Sequence, residues 1–485
     1  MLSSREDMTV DVAIIGSGTA GIAAYTATRA HRCSVVLIES GPFGTTCARV
    51  GCMPSKLLIA AADAAHHVRH SSPFGIHVHG MTVDGAAVMA RVRHERDRFV
   101  GLVVAAGEAI APDERLTARV RFQDAHTLVT EQGQRIHAKR TVIATGSVPV
   151  LPTMLKDLPT RVLLTNETIF ELTTLPQSLA VFGTGVLGME LAQAMARLGV
   201  QVKVFGLGGG IAGIQDPELR DCANQAFNAE LYLDAAAQVR SVQESDTGVE
   251  VQYLHRDGSW HTDQFDYVLA ATGRAPDLKS LGLENTGLQL DADGVPLFDR
   301  FTLQCGSSPI FIAGDASDEI PLLHEAADQG RIAGGNAARY PNICPGLRRT
   351  PLAVVFTDPQ VTSVGFSLAQ LKQNFDGHFA VGRASFEDQG RSRILLRNQG
   401  ILKVYAEQGS GLFLGAEMFG PAAEHLGHLL AWAAQQRMTV ADMLDMPFYH
   451  PVIEEGLRSA LQDVQHKLNL SVVAGGPCTD GHLDA

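Results

Sequence analysis

Apolar residues in this chain gather into short saturated runs that end at glycine. The first, Val10-Asp11-Val12-Ala13-Ile14-Ile15, reads as a buried strand. Gly16-Ser17-Gly18-Thr19-Ala20-Gly21 follows, then an alanine-rich helix over residues 22–30 and a second strand over 34–38 that ends at Glu39. Strand, glycine turn, helix, strand and terminal acid are the complete context of a dinucleotide-binding turn. The glycines allow the tight turn and the close approach of a pyrophosphate, which the helix N-terminus faces. Glu39 stands where a carboxylate accepts hydrogen bonds from ribose hydroxyls. The bland alternative is an ordinary strand–helix turn.

The pattern recurs. A strand over 179–182 leads into Gly183-Thr184-Gly185-Val186-Leu187-Gly188, a helix over 189–198 and a strand over 200–205. That strand ends at Gly206, where an acid would otherwise sit. Further runs, at 141–146, 267–273 and 310–315, end at Gly146, Gly273 and Gly314-Asp315. The first two read as crossovers out of and back into the first module, so the second module is expected to be inserted in the first. Beyond Pro345 the texture changes to alternating strands (353–356, 401–405) and amphipathic helices (422–436, 454–467), an α+β pattern. The predicted fold class is α/β, with two doubly wound dinucleotide-binding domains followed by an α+β domain.

At 485 residues the chain has room for about three domains. With 45% hydrophobic and 19% charged residues, wholesale disorder is excluded. A net charge of −13 argues against a nucleic-acid or anionic-membrane partner. No apolar run reaches the ~18 residues of a membrane span. The N-terminal apolar segment is expected to be a strand, not a signal peptide. Seven scattered cysteines do not make a secreted disulfide scaffold, so a reducing cytoplasmic setting is expected.

Only Cys47 and Cys52 lie close together, in Cys47-Ala48-Arg49-Val50-Gly51-Cys52-Met53-Pro54-Ser55-Lys56. A predicted helix N-terminus and a nearby lysine both lower thiol pKa. One accessible thiolate to attack and a second to resolve make a redox-active pair. Two unrelated buried cysteines are the alternative. A zinc site is weaker still, because no second ligand pair stands at the right spacing. His66, His67, His70, His77 and His79 lack a ligand face and read as solvated, so no metal is expected. Arg115 to Arg121 and Arg348-Arg349 are likewise expected to be solvated.

These motifs, with His450-Pro451-x3-Glu455, resemble those of the flavoprotein disulfide reductases (class I pyridine nucleotide–disulfide oxidoreductases) across almost the whole chain. The resemblance implies FAD in the first module and a nicotinamide dinucleotide in the second. It implies an FAD-binding domain over 1–150 and 275–345, an NAD-binding domain over 151–274, a dimerisation domain over 346–470 and a loose tail over 471–485. Cys52 resembles the thiol that exchanges electrons with the flavin, and Cys47 the one that meets substrate. Lys56 would sit beside the flavin with Glu190 as its ion-pair partner, and Asp315 would bind the FAD ribityl chain. Gly16, Gly18, Gly21, Glu39, Thr46 and Gly146 complete the expected flavin contacts; Gly183, Gly185, Gly188 and Gly273 complete those to the nicotinamide cofactor. His450, held by Glu455, would be the acid–base group, acting on the other subunit of a homodimer.

Within the family, Val186 makes the chain resemble the dihydrolipoamide dehydrogenases, and the lone Cys478 argues against mercuric reductase and large thioredoxin reductase. The expected partner is a small dithiol or a lipoyl group on a carrier protein. An NAD(P)H-dependent reductase of another small disulfide, resembling glutathione reductase, stands second. Mercuric reductase is disfavoured by the His-Pro-x3-Glu motif and by the absence of a C-terminal cysteine pair. Thr45, Ala48-Arg49 and Val452 depart from the usual family residues, as does the segment 323–327. With neither an acid nor an obvious arginine after Gly206, unless Arg220 folds back, NAD(H) with weak discrimination is expected.

Overall fold

The computed structural model describes residues 6–468. Cys478 and the expected tail lie outside the described residues. The chain forms two compact units, one drawn from Met1–Gly210 and Glu230–Arg348, the other from Ile211–Ala229 and Arg349–Ala485.

In the first unit, Met8–Ile15 is a central strand, parallel to Val35–Glu39 on one side and to Arg135–Ile143 on the other. Ile310–Ile312 adds a parallel strand beyond Arg135–Ile143, and Arg115–Thr117 extends the other edge. The side chains divide by parity. Val12, Ile14, Val35 and Leu37 pack into one core, while Ala13, Ile15, Val36 and Ile38 pack into another on the opposite face. That is why the first strand is apolar almost throughout: both faces are covered. The helix Thr19–Ala30 lies against Leu323–Arg339 at backbone contact. A Cβ at Gly330 would stand 2.2 Å from Ala20 O, and one at Gly334 would stand 2.2 Å from Ala24 O.

A second parallel sheet runs Tyr232–Asp234, Gln201–Phe205, Ser178–Phe182, Tyr267–Ala270, Leu163–Leu164. An antiparallel meander, Val239–Ser245, Gly248–Leu254 and Trp260–Phe265, accompanies it. The two expected crossovers pair with each other: Ser147–Pro149 is antiparallel to Arg274–Pro276.

The second unit carries a five-stranded antiparallel sheet in the order Leu352–Val355, Gln360–Gly365, Phe413–Gly420, Ile401–Glu407, Phe379–Ser385. Helices Ala423–Gln435 and Glu455–Lys467 bury Leu426, Leu430, Leu457, Leu461 and Val464 in its core. Residues 211–229, inside the segment expected to be nicotinamide-binding, belong to this unit. They are anchored by charge: Lys403 Nζ lies 2.9 Å from both oxygens of the fully buried Asp216.

Candidate active site

The two thiols sit at a break between helices. Thr46–Val50 ends at Gly51, and Cys52 opens the 18-residue helix Cys52–Arg69. Thr45 caps the first turn, its Oγ1 accepting from Ala48 N at 3.2 Å. The Thr45 departure noted in the sequence is therefore a helix cap. Cys52 is exposed and Cys47 half-buried, and neither is in a disulfide. The hydrogen bond from Cys47 pulls the Cys52 thiol down to about 7; Lys56 adds to this, while withdrawal from water and Glu190 oppose it. Cys47 is pushed up, first by donating that bond and then by burial. The pair is thus asymmetric, with the thiolate on Cys52, as a helix N-terminus favours.

One turn along, Lys56 Nζ reaches Glu190 Oε2 at 2.8 Å and Oε1 at 3.0 Å. Glu190 is 2% exposed, so Lys56 is its charge partner in the interior. The ion pair expected from the resemblance is present.

The two glycine motifs are geometric copies. Gly16 has φ +103 and Gly183 φ +114, and a Cβ would stand 2.2 Å from Ala144 O and Ala271 O, respectively. At Gly21 and Gly188 a Cβ would run into Gly16 O and Gly183 O at 1.8 and 2.1 Å. At the middle glycines, Gly18 and Gly185, nothing lies within 4 Å, which leaves the space a pyrophosphate needs.

The first turn opens into a cleft of about 190 Å³ lined by Gly16, Gly18, Glu39, Thr46 and Gly146, among others. Glu39 is oriented by Ser17, whose N and Oγ both donate to Oε2 at 2.8 Å, and by Gly41 N, which donates to Oε1. Thr145 Oγ1, in the same wall, is buried with no hydrogen-bond partner. An orphaned hydroxyl in a glycine-walled cleft fits a bound dinucleotide whose polar groups complete it. The second turn opens into a cleft of about 400 Å³ lined by Gly183, Gly185, Val186, Leu207, Gly273 and Arg274.

A network that sequence reasoning missed ties the crossovers together. Arg274 Nε donates to Ser147 Oγ at 2.8 Å, and Ser147 Oγ donates to Asp315 Oδ2 at 2.7 Å. Arg274 Nη1 reaches Asn166 Oδ1 at 2.9 Å, and Asn166 Nδ2 donates to Val50 O between the two cysteines. Asp315 is thereby held in place, on the turn Gly314–Ser317. The only sequence signal was the arginine after Gly273.

In the second unit, His450 Nδ1 lies 2.9 Å from Glu455 Oε1, and Glu455 Oε2 accepts from Val452 N at 3.1 Å. The hydrogen bond to His450 is the main cause holding the Glu455 carboxyl below its usual range. The ring is 80% exposed. Glu455 fixes Nδ1 as the inward nitrogen and leaves Nε2 to exchange protons. Cys47, Cys52, Lys56 and Glu190 are together in the first unit; His450 and Glu455 are together in the second.

Two sequence expectations are adjusted. Arg348 is not solvated: it is buried between Glu319 at 2.8 Å and Glu325 at 2.9 Å. The loop after Gly206 is neutral as expected, but Gly206 is glycine for a packing reason, since a Cβ there would stand 2.4 Å from Ala235 O. Arg220 lies on the helix Pro217–Glu230.

Residues 10–330 match the family model of the pyridine nucleotide-disulphide oxidoreductases, and residues 352–461 match that family's dimerisation domain, which supports a homodimer. A mercuric reductase of Shigella flexneri is 33% identical, over 98% of this chain and 85% of its own length. A dihydrolipoyl dehydrogenase of Chlamydia pneumoniae is 29% identical, over 95% of this chain and 98% of its own length. Overall identity therefore does not set the chain apart from the mercuric reductases, as the motif comparison had. The crystal structure of LpdA from Mycobacterium tuberculosis superposes with a TM-score of 0.79 at 25% identity, covering 93% of this chain and 99% of that one. Among the described residues, no helix is long and apolar enough to cross a membrane. Taken with the paired glycine clefts and the thiol pair, the matches establish that the chain belongs to the class I flavoprotein disulfide reductases, enzymes that bind FAD and NAD(P).

Proposed function

We propose that this enzyme oxidises a small dithiol, dihydrolipoamide or a lipoyl group on a carrier protein, with NAD as the final acceptor. The observation that carries this reading is the His450–Glu455 contact. Thiol–disulfide exchange needs a base to make the attacking thiolate and an acid to protonate the leaving one, and a carboxylate-fixed imidazole does both. Reduction of a bare metal ion has no leaving thiol to protonate and does not need this pair.

In the proposed cycle His450, from the other subunit of a homodimer, takes a proton from one substrate thiol. The thiolate attacks Cys47 Sγ in the Cys47–Cys52 disulfide, the S–S bond breaks, and Cys52 leaves as a thiolate stabilised near Lys56. The second substrate thiol then displaces Cys47: His450 passes its proton to the leaving Cys47 sulfur and takes up the proton of the attacking thiol, and the substrate departs as a disulfide. Two electrons now reside on the cysteine pair; FAD supplies their onward route to NAD. Gly16, Gly18, Gly21, Glu39, Thr46, Gly146 and Asp315 would hold FAD. Gly183, Gly185, Gly188 and Gly273 would hold the nicotinamide cofactor.

The test is a substrate panel on one flavin-loaded preparation: dihydrolipoamide with NAD, and lipoamide, glutathione disulfide and Hg2+ with NADH or NADPH. The expected result is a kcat/KM for dihydrolipoamide with NAD at least about tenfold above those for glutathione disulfide and Hg2+, with lipoamide and NADH turned over as the reverse reaction. Turnover confined to glutathione disulfide would favour the second reading. Turnover confined to Hg2+ would overturn the dithiol assignment.

A further inference from the structure

The geometry points to a binding site for a divalent transition cation of the Zn2+ class, outside the redox centre, on the hairpin joining Gly248–Leu254 to Trp260–Phe265. Its ligands are His255 Nδ1, Asp257 Oδ2 and His261 Nε2. Register brings them together. His261 pairs across the hairpin with Tyr253, and His255, two residues beyond Tyr253, falls on the same face of the sheet. The turn between them closes through His255 N to Ser259 O at 2.9 Å and through Gly258, whose φ is +82.

Asp257 Oδ2 lies 3.2 Å from His255 Nδ1 and 3.1 Å from His261 Nε2, and the three ligand atoms lie within 4.8 Å of one another. A tetrahedral ion with bonds of 2.0–2.1 Å has ligand–ligand edges of about 3.3 Å, so both short edges are of the right length. The ligands are held from behind. Ser259 N and Oγ donate to Asp257 Oδ1 at 2.8 and 2.6 Å, which turns Oδ2 toward the imidazoles. His255 stacks on Tyr232 at 5.5 Å, and His261 stacks on His255 at 4.4 Å. Such support fixes ring orientation before any ion arrives.

Hydrogen bonding accounts for the His261 edge, where Nε2 lies 3.1 Å from Asp257 Oδ2 and 3.0 Å from Ser259 Oγ, but less well for the His255 edge. Asp257 N is directed at His255 Nδ1 at 3.4 Å, treating that nitrogen as a lone-pair bearer, while Asp257 Oδ2 faces the same nitrogen. A cation between them takes both lone pairs. Three protein ligands leave a fourth position for water. Two imidazoles and one carboxylate suit Zn2+ or Cu2+ and are a poor set for Mg2+ or Ca2+. The histidines weighed in the sequence, His66 and His70 among them, lie elsewhere, on and just beyond the helix Cys52–Arg69.

The experiment uses the oxidised holoenzyme, with the Cys47–Cys52 disulfide closed so that its thiols do not compete. Zn2+ is titrated against a chromophoric chelator, and Cu2+ is followed by electron paramagnetic resonance. The expected result is one equivalent of Zn2+ that His261→Ala weakens by about 100-fold or more, and a Cu2+ signal whose coupling to two imidazole nitrogens disappears in the same variant. Asp257→Asn, at an exposed turn residue, gives a second reading of the same loss should His261→Ala fail to fold. Undiminished Zn2+ binding in both variants would overturn the proposal, as would loss of the equivalent in a His66→Ala/His70→Ala control.

Discussion

Replacing Lys56 by Met and Glu190 by Gln should move the titration of the Cys52 thiol in opposite directions. Lys56 lies one helical turn beyond Cys52, so its charge stands roughly 6 Å from the sulfur. Glu190 Oε2 lies 2.8 Å from that charge and so at most about 9 Å from the sulfur. At an effective dielectric near 20, the lysine favours the thiolate by about 2.8 kcal/mol and the glutamate, at that limiting distance, disfavours it by about 1.8 kcal/mol. Glu190→Gln removes only the unfavourable part and should lower the thiol pKa by about 1.4 units. Lys56→Met should raise it by about 0.7 units if Glu190 gives up its charge and by about 2 if it does not. The assay is the pH dependence of the long-wavelength absorbance of a thiolate beside oxidised flavin. It is read in a Cys47→Ser background, where the serine hydroxyl keeps a hydrogen-bond donor on Cys52. The absorbance grows as pH rises through the thiol pKa, so Glu190→Gln should show it at lower pH and Lys56→Met only at higher pH. Shifts of the same sign, or none beyond about 0.2 units, would refute the electrostatic account.

Glu455→Gln should slow the thiol step by about 10²-fold and His450→Ala by about 10²–10⁴-fold, with hydride transfer from NADH unchanged. Single-turnover kinetics separate the two steps, and an equal loss in both would point to misfolding instead. The Glu455 carboxyl is held below its usual range, so it stays ionised at neutral pH and the acid limb of the wild-type profile should not belong to it. At the second cleft, Leu207 is 55% exposed and beside the neutral loop that follows Gly206. Leu207→Glu should widen the NADH over NADPH ratio of kcat/KM by about tenfold, a like-charge repulsion of ~1.4 kcal/mol; an unchanged ratio would place the adenosine ribose away from this loop.

What could be read from the sequence, and what could not, follows from the range of the constraint that each residue obeys. Gly16, Gly21, Gly183 and Gly188 are legible because each answers to backbone that its own motif or one neighbouring strand brings close: a Cβ at Gly21 strikes Gly16 O, five residues away. Cys47 and Cys52 are legible for the same reason, since a helix start converts their spacing into an asymmetric pair. Ser147 and Asn166 were invisible because their meaning comes from Arg274, 127 and 108 residues away in the chain, and only the paired crossovers bring the three together. The antiparallel meander from Val239 to Phe265 went unread because its flanking strands, Val239–Ser245 and Trp260–Phe265, are mostly polar and bury little, although Gly248–Leu254 between them alternates cleanly, with Val249, Val251 and Tyr253 buried. Arg348 misled because a charge pair at the end of an apolar stretch resembles a solvated boundary, whereas Glu319 and Glu325 wait for it in the interior. Lys56 and Glu190 fall between these cases. The lysine is local to the cysteines and was legible by chemistry. Its partner, on a helix of the second glycine module, joins the two modules through one buried charge, and that is why the ion pair is the place where a substitution in either module should reach the thiol.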